Sequence, residues 1–594
     1  MLTLDSLFRS KGSHSYVLLI LPLALSAFTH LWNPIGFPSL YVDEGHYMRR
    51  TTQVLEGLGT QESATGYNEN RQYDHPYFGQ LFIAAALQII NYPDAQVANP
   101  TGIVNSIEML YMAPRLLIGG LAVVDTFLIY KICERRYGRN IALIASILFA
   151  VMPMSWFVRR ILLESIQLPF ILLSILFAIY YRGNNSDKKD KDTGLTGSGL
   201  LRNSNNYNHI IVLISGIYLG IAIFTKIPGI AIIPAVAFLI FTGNNKNLKT
   251  LGLWFIPVIL IPSIWPAYSL FAGESNEWME DITWQSQRNY RSLSESLEWD
   301  LRIDPVLFIL GIVGIAFALI RRDIFPMLWS LPFLIFLDFV GYAQFFHITP
   351  LIPLFCISAA ILIEGLPYSI AGIYKKYIAK HRTSTENEKK KKVIQKTLKH
   401  YTCSINPLRS AKPKYFRKII KSPIHNLQFV IIAGIGIFGL VSTIMLITIN
   451  LNSTYFAISS AIVQHLISNY DNNVAQNNEV GELSNQVVVG QRHWGIHYSW
   501  IPQYVYHRNF DFLPLKDIEA LQHEKVLLIL DKRLKSMILG EDDESYIKKL
   551  QSLYNDTNAR SKYNDKQYHD RNAYPYTSLH QNRRVDIMEL RTNY

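Results

Sequence analysis

The chain has 594 residues, of which 49% are hydrophobic and only 17% charged. The formal charge of +12 does not imply a nucleic-acid partner, because it is concentrated in one loop: between Tyr374 and Lys421, sixteen Lys and Arg face only Glu386 and Glu388. A basic loop between apolar runs is what the positive-inside rule places on the cytoplasmic face, next to anionic lipid. The three cysteines, Cys133, Cys356 and Cys403, show neither zinc-site spacing nor a disulfide framework.

In chain order, "SYVLLILPLALSAFTHLW" (Ser15–Trp32) is the first of several runs long enough to cross a bilayer, about 18–20 apolar residues each. It lacks a small-residue cleavage site and reads as an anchor, running outward from the basic "RSKGSH". "YVDEGHYMRR" then lies outside. The segment "YFGQLFIAAALQIINY" (Tyr77–Tyr92) is apolar but short, and counting it as a span would invert every later loop. It reads as an interfacial helix inside a first external loop over 33–112. Further spans are expected from Ala113 to the basic "CERRYGRN", at "IALIASILFAVMPMSWFV" and "LPFILLSILFAIYY", and near 209–225, 228–242, 250–271, 305–320, 324–341, 348–366 and 427–450. The fold class is therefore an all-α polytopic membrane bundle of about eleven helices.

The division that follows is a bundle over 1–373, a basic cytoplasmic loop over 374–426, a last span over 427–450 and an external domain over 451–594. In that domain "NQVVVG" and "KVLLILD" read as buried strands and "LKDIEALQHE" as a helix, giving an α/β unit. Asn452-Ser453-Thr454 and Asn555-Asp556-Thr557 match the glycosylation sequon, which agrees with an external position.

Acids beside a membrane are costly unless paired or functional. Three groups fall on the external side: Asp43-Glu44, Asp74-His75 in "RQYDHPYFGQ", and Glu164 in "SWFVRRILLESIQLPF". Local pairing, Asp43 with Arg50 and Glu164 with Arg160, is the structural alternative for each group.

Taken in order, "YVDEGHYMRR", "YDHPYFGQLF", "APRLL…ERRYGR", "SWFVRRILLESIQLPF", "FTKIPG" and "HITPLIPLFCISAA" resemble the landmarks of the membrane glycosyltransferases that use a polyprenyl-phosphate sugar. The dolichyl-phosphate-mannose protein mannosyltransferases typify that family. The resemblance covers roughly 15–370 and departs at His75-Pro76-Tyr77, where the family usually reads His-Pro-Pro. It implies a GT-C fold and inverting transfer from a polyprenyl-phosphate donor to an acceptor hydroxyl on protein, glycan or lipid. With the basic loop on the cytoplasmic side, the topology places these loops on the external face of the plasma membrane, or on the lumenal face if the membrane is an internal one. By this resemblance Asp43 matches the acid that takes the acceptor's proton, with Glu44 beside it. Glu164 matches a second external acid, and Arg115 an arginine near the active site.

The chemistry requires similar parts. A carboxylate that accepts the acceptor's proton contributes typically ~10²–10⁴-fold, and the leaving phosphate needs fixed cations or a divalent metal. Arg115, Arg160, Lys226 and Arg288 or its loop neighbour Arg291 are the candidate cations, with Asp74, His75 and His347 as further substrate contacts. No ligand set for a metal is assigned. An oligosaccharyltransferase is one alternative, although its Trp-Trp-Asp motif is missing here. A transporter or flippase of lipid-linked substrates is another, although the acids cluster in external loops and no internal repeat is visible.

Overall fold

The structure is a computed structural model. It describes residues 14–59, 73–94, 103–189, 204–243, 247–288, 292–381 and 423–452, with shorter pieces at 456, 459, 463, 486–490, 500–506, 510–514, 525–530 and 586–591. The first span is α1 (His14–Leu31), and the first loop carries α2 (Val42–Leu55) and α3 (Phe78–Gln88). The bundle continues with α4 (Ile103–Arg136), α5 (Arg139–Val151), α6 (Leu163–Lys189), α7 (Ser204–Thr225), α8 (Ile233–Gly243), α9 (Leu248–Leu260) and α10 (Ile264–Ala272). Two amphipathic helices follow, α11 (Ser275–Ser286) and α12 (Leu293–Ile303), then α13 (Pro305–Ile320), α14 (Phe325–Val340), α15 (Ile352–His381) and α16 (Pro423–Ile447).

Among the described residues, six helices are long and apolar enough to span a membrane, or eight if each of two bent pairs is one span. The other three expected spans coincide with the shorter apolar helices Leu18–Leu31, Ile227–Gly243 and Phe325–Val340. Phe78–Gln88, expected at the interface, is likewise a short apolar helix, of 11 residues. The bends have local causes. The 117° bend between α12 and α13 falls at Asp304-Pro305, where the Asp304 carboxylate accepts Leu307 N at 2.9 Å and caps the new helix, with Pro at its first position. The 69° bend after α5 falls at Pro153.

In the most apolar 18 residues of Phe345–Pro367, 94% are buried, and this helix forms the centre of the bundle, whereas the corresponding shares are 22% in Leu248–Ala272 and 28% in Gln428–Ile447. The last two present apolar side chains outward, as lipid-facing helices do. Close packing of α7 on α9 depends on Gly216 and Gly220, four residues apart. A Cβ at either would come within 2.5 Å of the carbonyl oxygen of Trp254 or Pro257.

Beyond α16 the described chain returns to the bundle. Trp500 is fully buried and its indole donates to Tyr111 Oη at 3.3 Å, while Gln53 Nε2 donates to Tyr504 Oη at 2.8 Å. Four strands, β1 (Gln486–Gly490), β2 (Phe510–Pro514), β3 (Lys525–Leu530) and β4 (Asp586–Arg591), form one sheet in the order β2-β1-β3-β4. The first three are parallel, and β4 is antiparallel to β3. Both expected strands are present. The expected helix at "LKDIEALQHE", the sequon at Asn555, Cys403 and most of the basic loop (382–422) lie outside the described residues.

Asn452 requires a correction. It is fully buried, its Oδ1 accepts Leu40 N at 2.8 Å, and its Nδ2 donates to Ile35 O at 2.6 Å and Pro38 O at 2.9 Å. An amide committed in this way has no room for a glycan, so this sequon says nothing about sidedness.

Candidate active site

A cavity of about 800 Å³ lies where the first loop meets α7, α11 and the turn before α15. Asp43, Asp74, His75, Lys226, Arg288 and His347 all line it, bringing together residues spread over three hundred positions of sequence.

Asp43 stands in the first turn of α2. Tyr41, extended, precedes the helix, and its N–H is accepted by Glu44 Oε1 at 3.1 Å. Both acids thus sit at the positive end of the helix dipole, but their surroundings differ. Glu44 is fully buried and accepts Arg115 Nε at 3.0 Å, Arg115 Nη2 at 2.8 Å and Ile161 N at 3.2 Å. Arg115 spends its remaining donors on Pro34 O and Pro38 O, each at 2.8 Å. Neither residue lines the cavity; together they lock the first loop to α4. The Asp43 carboxylate makes no hydrogen bond or ion pair with another described residue and opens on the cavity. Burial raises its pKa from the ordinary carboxylate value, against the pull of Lys226, His46 and Arg288.

Lys226 owes its place to the sequence "TKIPG". Proline two residues on cannot continue the donor ladder, so α7 ends at Thr225 and Lys226 takes an extended backbone before a 3₁₀ turn. Gln167 Nε2 holds its carbonyl at 2.5 Å. The Lys226 ammonium contacts Glu164 Oε1, and His347 Nε2 lies 3.7 Å from the same oxygen. Glu164 is therefore tied to Lys226 and not to Arg160. His347 Nδ1 accepts Gln344 N at 3.2 Å, which leaves Nε2 as the protonated nitrogen of the neutral ring. The Arg288 guanidinium lies 3.6 Å above the Trp284 ring and 5.3 Å from that of Tyr342.

Asp74 pairs with Arg50 at 2.7 Å and faces His46 Nε2 at 3.7 Å. The Asp43–Arg50 pair considered from sequence is thus replaced by Asp74–Arg50. Burial pushes Asp74 up, but the Arg50 guanidinium beside it, with the nearby histidines, holds it well below the usual carboxylate range. His75 is pushed down to about 3, chiefly by burial. Helix α11 holds this loop: Tyr73 N donates to Asp281 Oδ2 at 2.8 Å, Tyr73 Oη to Glu274 at 2.5 Å, and Gln285 Nε2 to Asp74 O at 3.2 Å. Arg160 is buried away from the cavity, donating to Ser39 Oγ at 3.1 Å and stacking on Tyr41, Trp156 and Phe345.

His46 and Tyr47 line the cavity and were not singled out as site residues. Their spacing of three and four from Asp43 on one helix was the available signal. Trp265, Trp278 and Tyr342 also line it, without a sequence signal beyond aromaticity. The other wall is apolar, with Ile230, Val258, Ile259, Phe336 and Leu337, and Ile230 and Ile259 are 45% and 58% exposed on the flank of the bundle. Among the described residues no three His, Cys, Asp or Glu side chains come together as a metal would require.

The family model for dolichyl-phosphate-mannose-protein mannosyltransferase matches residues 35–272. The structure is similar to ArnT from Cupriavidus metallidurans in the apo state, with a TM-score of 0.50 at 11% identity over 97% of this chain and 98% of that one. It is also similar to the Archaeoglobus fulgidus oligosaccharyltransferase tethered with an acceptor peptide containing the NVT sequon. There the TM-score is 0.50 at 12% identity, over 87% of this chain and 69% of that one. No curated protein matches the sequence. Fold and sequence together define a membrane glycosyltransferase with the GT-C fold. Within that class the chain is similar, over its first half, to the dolichyl-phosphate-mannose-protein mannosyltransferases.

Proposed function

We propose that the enzyme transfers a hexose, mannose by the family it resembles, from a polyprenyl-phosphate donor to an acceptor hydroxyl, a protein side chain by the same resemblance. The observation that carries this reading is the open Asp43 carboxylate sharing one cavity with the Lys226 and Arg288 cations.

The acceptor oxygen attacks the anomeric carbon from the face opposite the phosphate, so configuration inverts. The bond from that carbon to the phosphate oxygen breaks, and Asp43 takes the acceptor's proton. Negative charge grows on the departing polyprenyl phosphate, where Lys226 and Arg288 provide fixed positive charge and His347 Nε2–H a donor. Glu164 holds the Lys226 ammonium in place. Asp74 and His75 shape the far side of the cavity, and Asp74 keeps Arg50 compensated. Glu44, Arg115 and Arg160 act by fixing the loop that carries Asp43. The apolar wall, open on the flank of the bundle, suits the polyprenyl chain, which stays in lipid while its phosphate reaches the cations. On this reading the cavity and the C-terminal sheet face outside the cytoplasm.

The test is transfer by the reconstituted enzyme with Ser/Thr peptides as acceptors. Dolichyl-phosphate mannose should support it and GDP-mannose should not; transfer from the nucleotide sugar alone would overturn the proposal.

A further inference from the structure

The chain from Trp32 to Tyr41 forms no helix or strand, yet it leads directly to Asp43, and Gly36 to Leu40 within it are buried. Buried backbone polar groups must find partners elsewhere. One set of partners comes from the middle of the bundle: Arg159 donates to Trp32 O, Arg115 to Pro34 O and Pro38 O, and Arg160 to the Ser39 side chain. A second set ties the segment to the end of the last span, more than four hundred positions away. Leu451 N donates to Gly36 O at 2.8 Å, and the Asn33 side chain donates to Ile447 O at 2.9 Å and Ile449 O at 3.1 Å. Asn452 makes three further bonds, to Ile35 O, Pro38 O and Leu40 N.

Asn452 is 0% exposed and commits both its amide nitrogen and its amide oxygen to this strap. Only an amide of this length supplies two donor bonds and one acceptor bond from one position. The bond to Leu40 N is three residues from the Asp43 carboxylate, with no flexible turn between them. We infer that Asn452 is a positioning residue for Asp43, and that the exit of the last span, outside the matched region 35–272, supports the catalytic centre from behind its first loop. This rests on the reading of Asp43 as the base. Lys226, Arg288 and His347 are carried by other elements, so loosening the strap should displace the base and leave the phosphate contacts in place.

The experiment compares full-length Asn452→Asp, Asn452→Ala and Asn33→Gly with the parent in proteoliposomes, using dolichyl-phosphate mannose and a Ser/Thr peptide, with Asp43→Asn run in parallel. Asn452→Asp keeps the shape and the acceptor oxygen but loses the donor. Asn33→Gly removes the bonds to Ile447 and Ile449, and with them the one its Oδ1 accepts from Gly36 N, at a position whose φ of 48° glycine adopts freely. Misplacing a reacting group by about 1 Å can cost ~10²-fold, so kcat per folded molecule should fall by roughly 10- to 100-fold while the donor KM stays within about threefold. Thermal unfolding followed by tryptophan fluorescence supplies the folded fraction. The inference is overturned if kcat per folded molecule is unchanged, if the loss lies in KM, or if it only tracks unfolding in all three variants. If Asp43→Asn is inactive while these variants keep the parental kcat, the base reading stands and only the inference fails. If Asp43→Asn transfers at the parental rate, both fail.

Discussion

Arg115 grips both carboxylate oxygens of Glu44, at 3.0 and 2.8 Å, inside the protein, while the neighbouring Asp43 opens on the cavity. Two adjacent acids on one helix turn therefore have separate tasks. Removing one member of a buried pair leaves the other charge uncompensated, at about 3–5 kcal/mol. Glu44→Ala and Arg115→Ala should each lower the unfolding temperature of the detergent-solubilised enzyme steeply, whereas Asp43→Asn should not. Equal unfolding temperatures for all three would show that the pair has no structural role.

Asp43 also predicts a pH effect on stability. Its pKa is raised by burial, so the folded state binds this proton more tightly than the unfolded chain does. The group then favours folding least at pH values above its folded pKa, where the folded state must hold a buried charge. Asp43→Asn removes that cost, so near neutral pH the variant should unfold at the same or a higher temperature than the parent. A lower temperature would indicate that Asp43 makes a stabilising contact.

His75 and Asp74 predict acid sensitivity in two windows. An unfolded histidine takes its proton near pH ~6.5, whereas folded His75 stays neutral to about 3, so stability falls as pH drops across that interval. Asp74 is depressed by Arg50, so its contribution is complete above the unfolded value of ~3.9 and is lost as pH falls through the folded value. A second histidine, His347, lines the same cavity, so His75→Asn should make the upper window shallower without abolishing it. Unfolding temperature measured against pH checks both, and an unchanged upper window in the variant contradicts the assignment.

Lys226 and Glu164 form the third charged pair, and here stability and function separate. Lys226→Met leaves Glu164 buried without its cation and should destabilise the enzyme. Lys226→Met combined with Glu164→Gln removes both charges and should recover folding, but the donor KM should remain raised by about tenfold or more, because the phosphate has lost a fixed cation. Recovery of transfer in the double variant would mean that Lys226 serves only Glu164.

Much of the bundle was legible because apolar runs bounded by basic loops leave little freedom, and because Pro153, Pro228 and Pro305 mark the breaks. The cavity acids Asp43 and Asp74 were legible by type. Their partners were not. Local reasoning pairs Glu164 with Arg160 and Asp43 with Arg50, while the structure pairs Glu164 with Lys226 and Arg50 with Asp74 across the fold. Arg115 and Arg160 carry the charge expected of phosphate contacts, yet the structure places them away from the cavity, on Glu44 and in an aromatic cage. Asn452 shows the same limit: a three-residue pattern suggested a surface amide, and only the packing of the last span against the first loop places it inside.

The central claim is that Asp43 is the base, and the most direct measurement is the rate of mannose transfer from dolichyl-phosphate mannose by Asp43→Asn in proteoliposomes, normalised to folded enzyme. The account predicts a kcat at least ~10²-fold below the parent, with the donor KM little changed. Transfer at the parental rate would contradict it and leave Asp43 as an acid at a helix end.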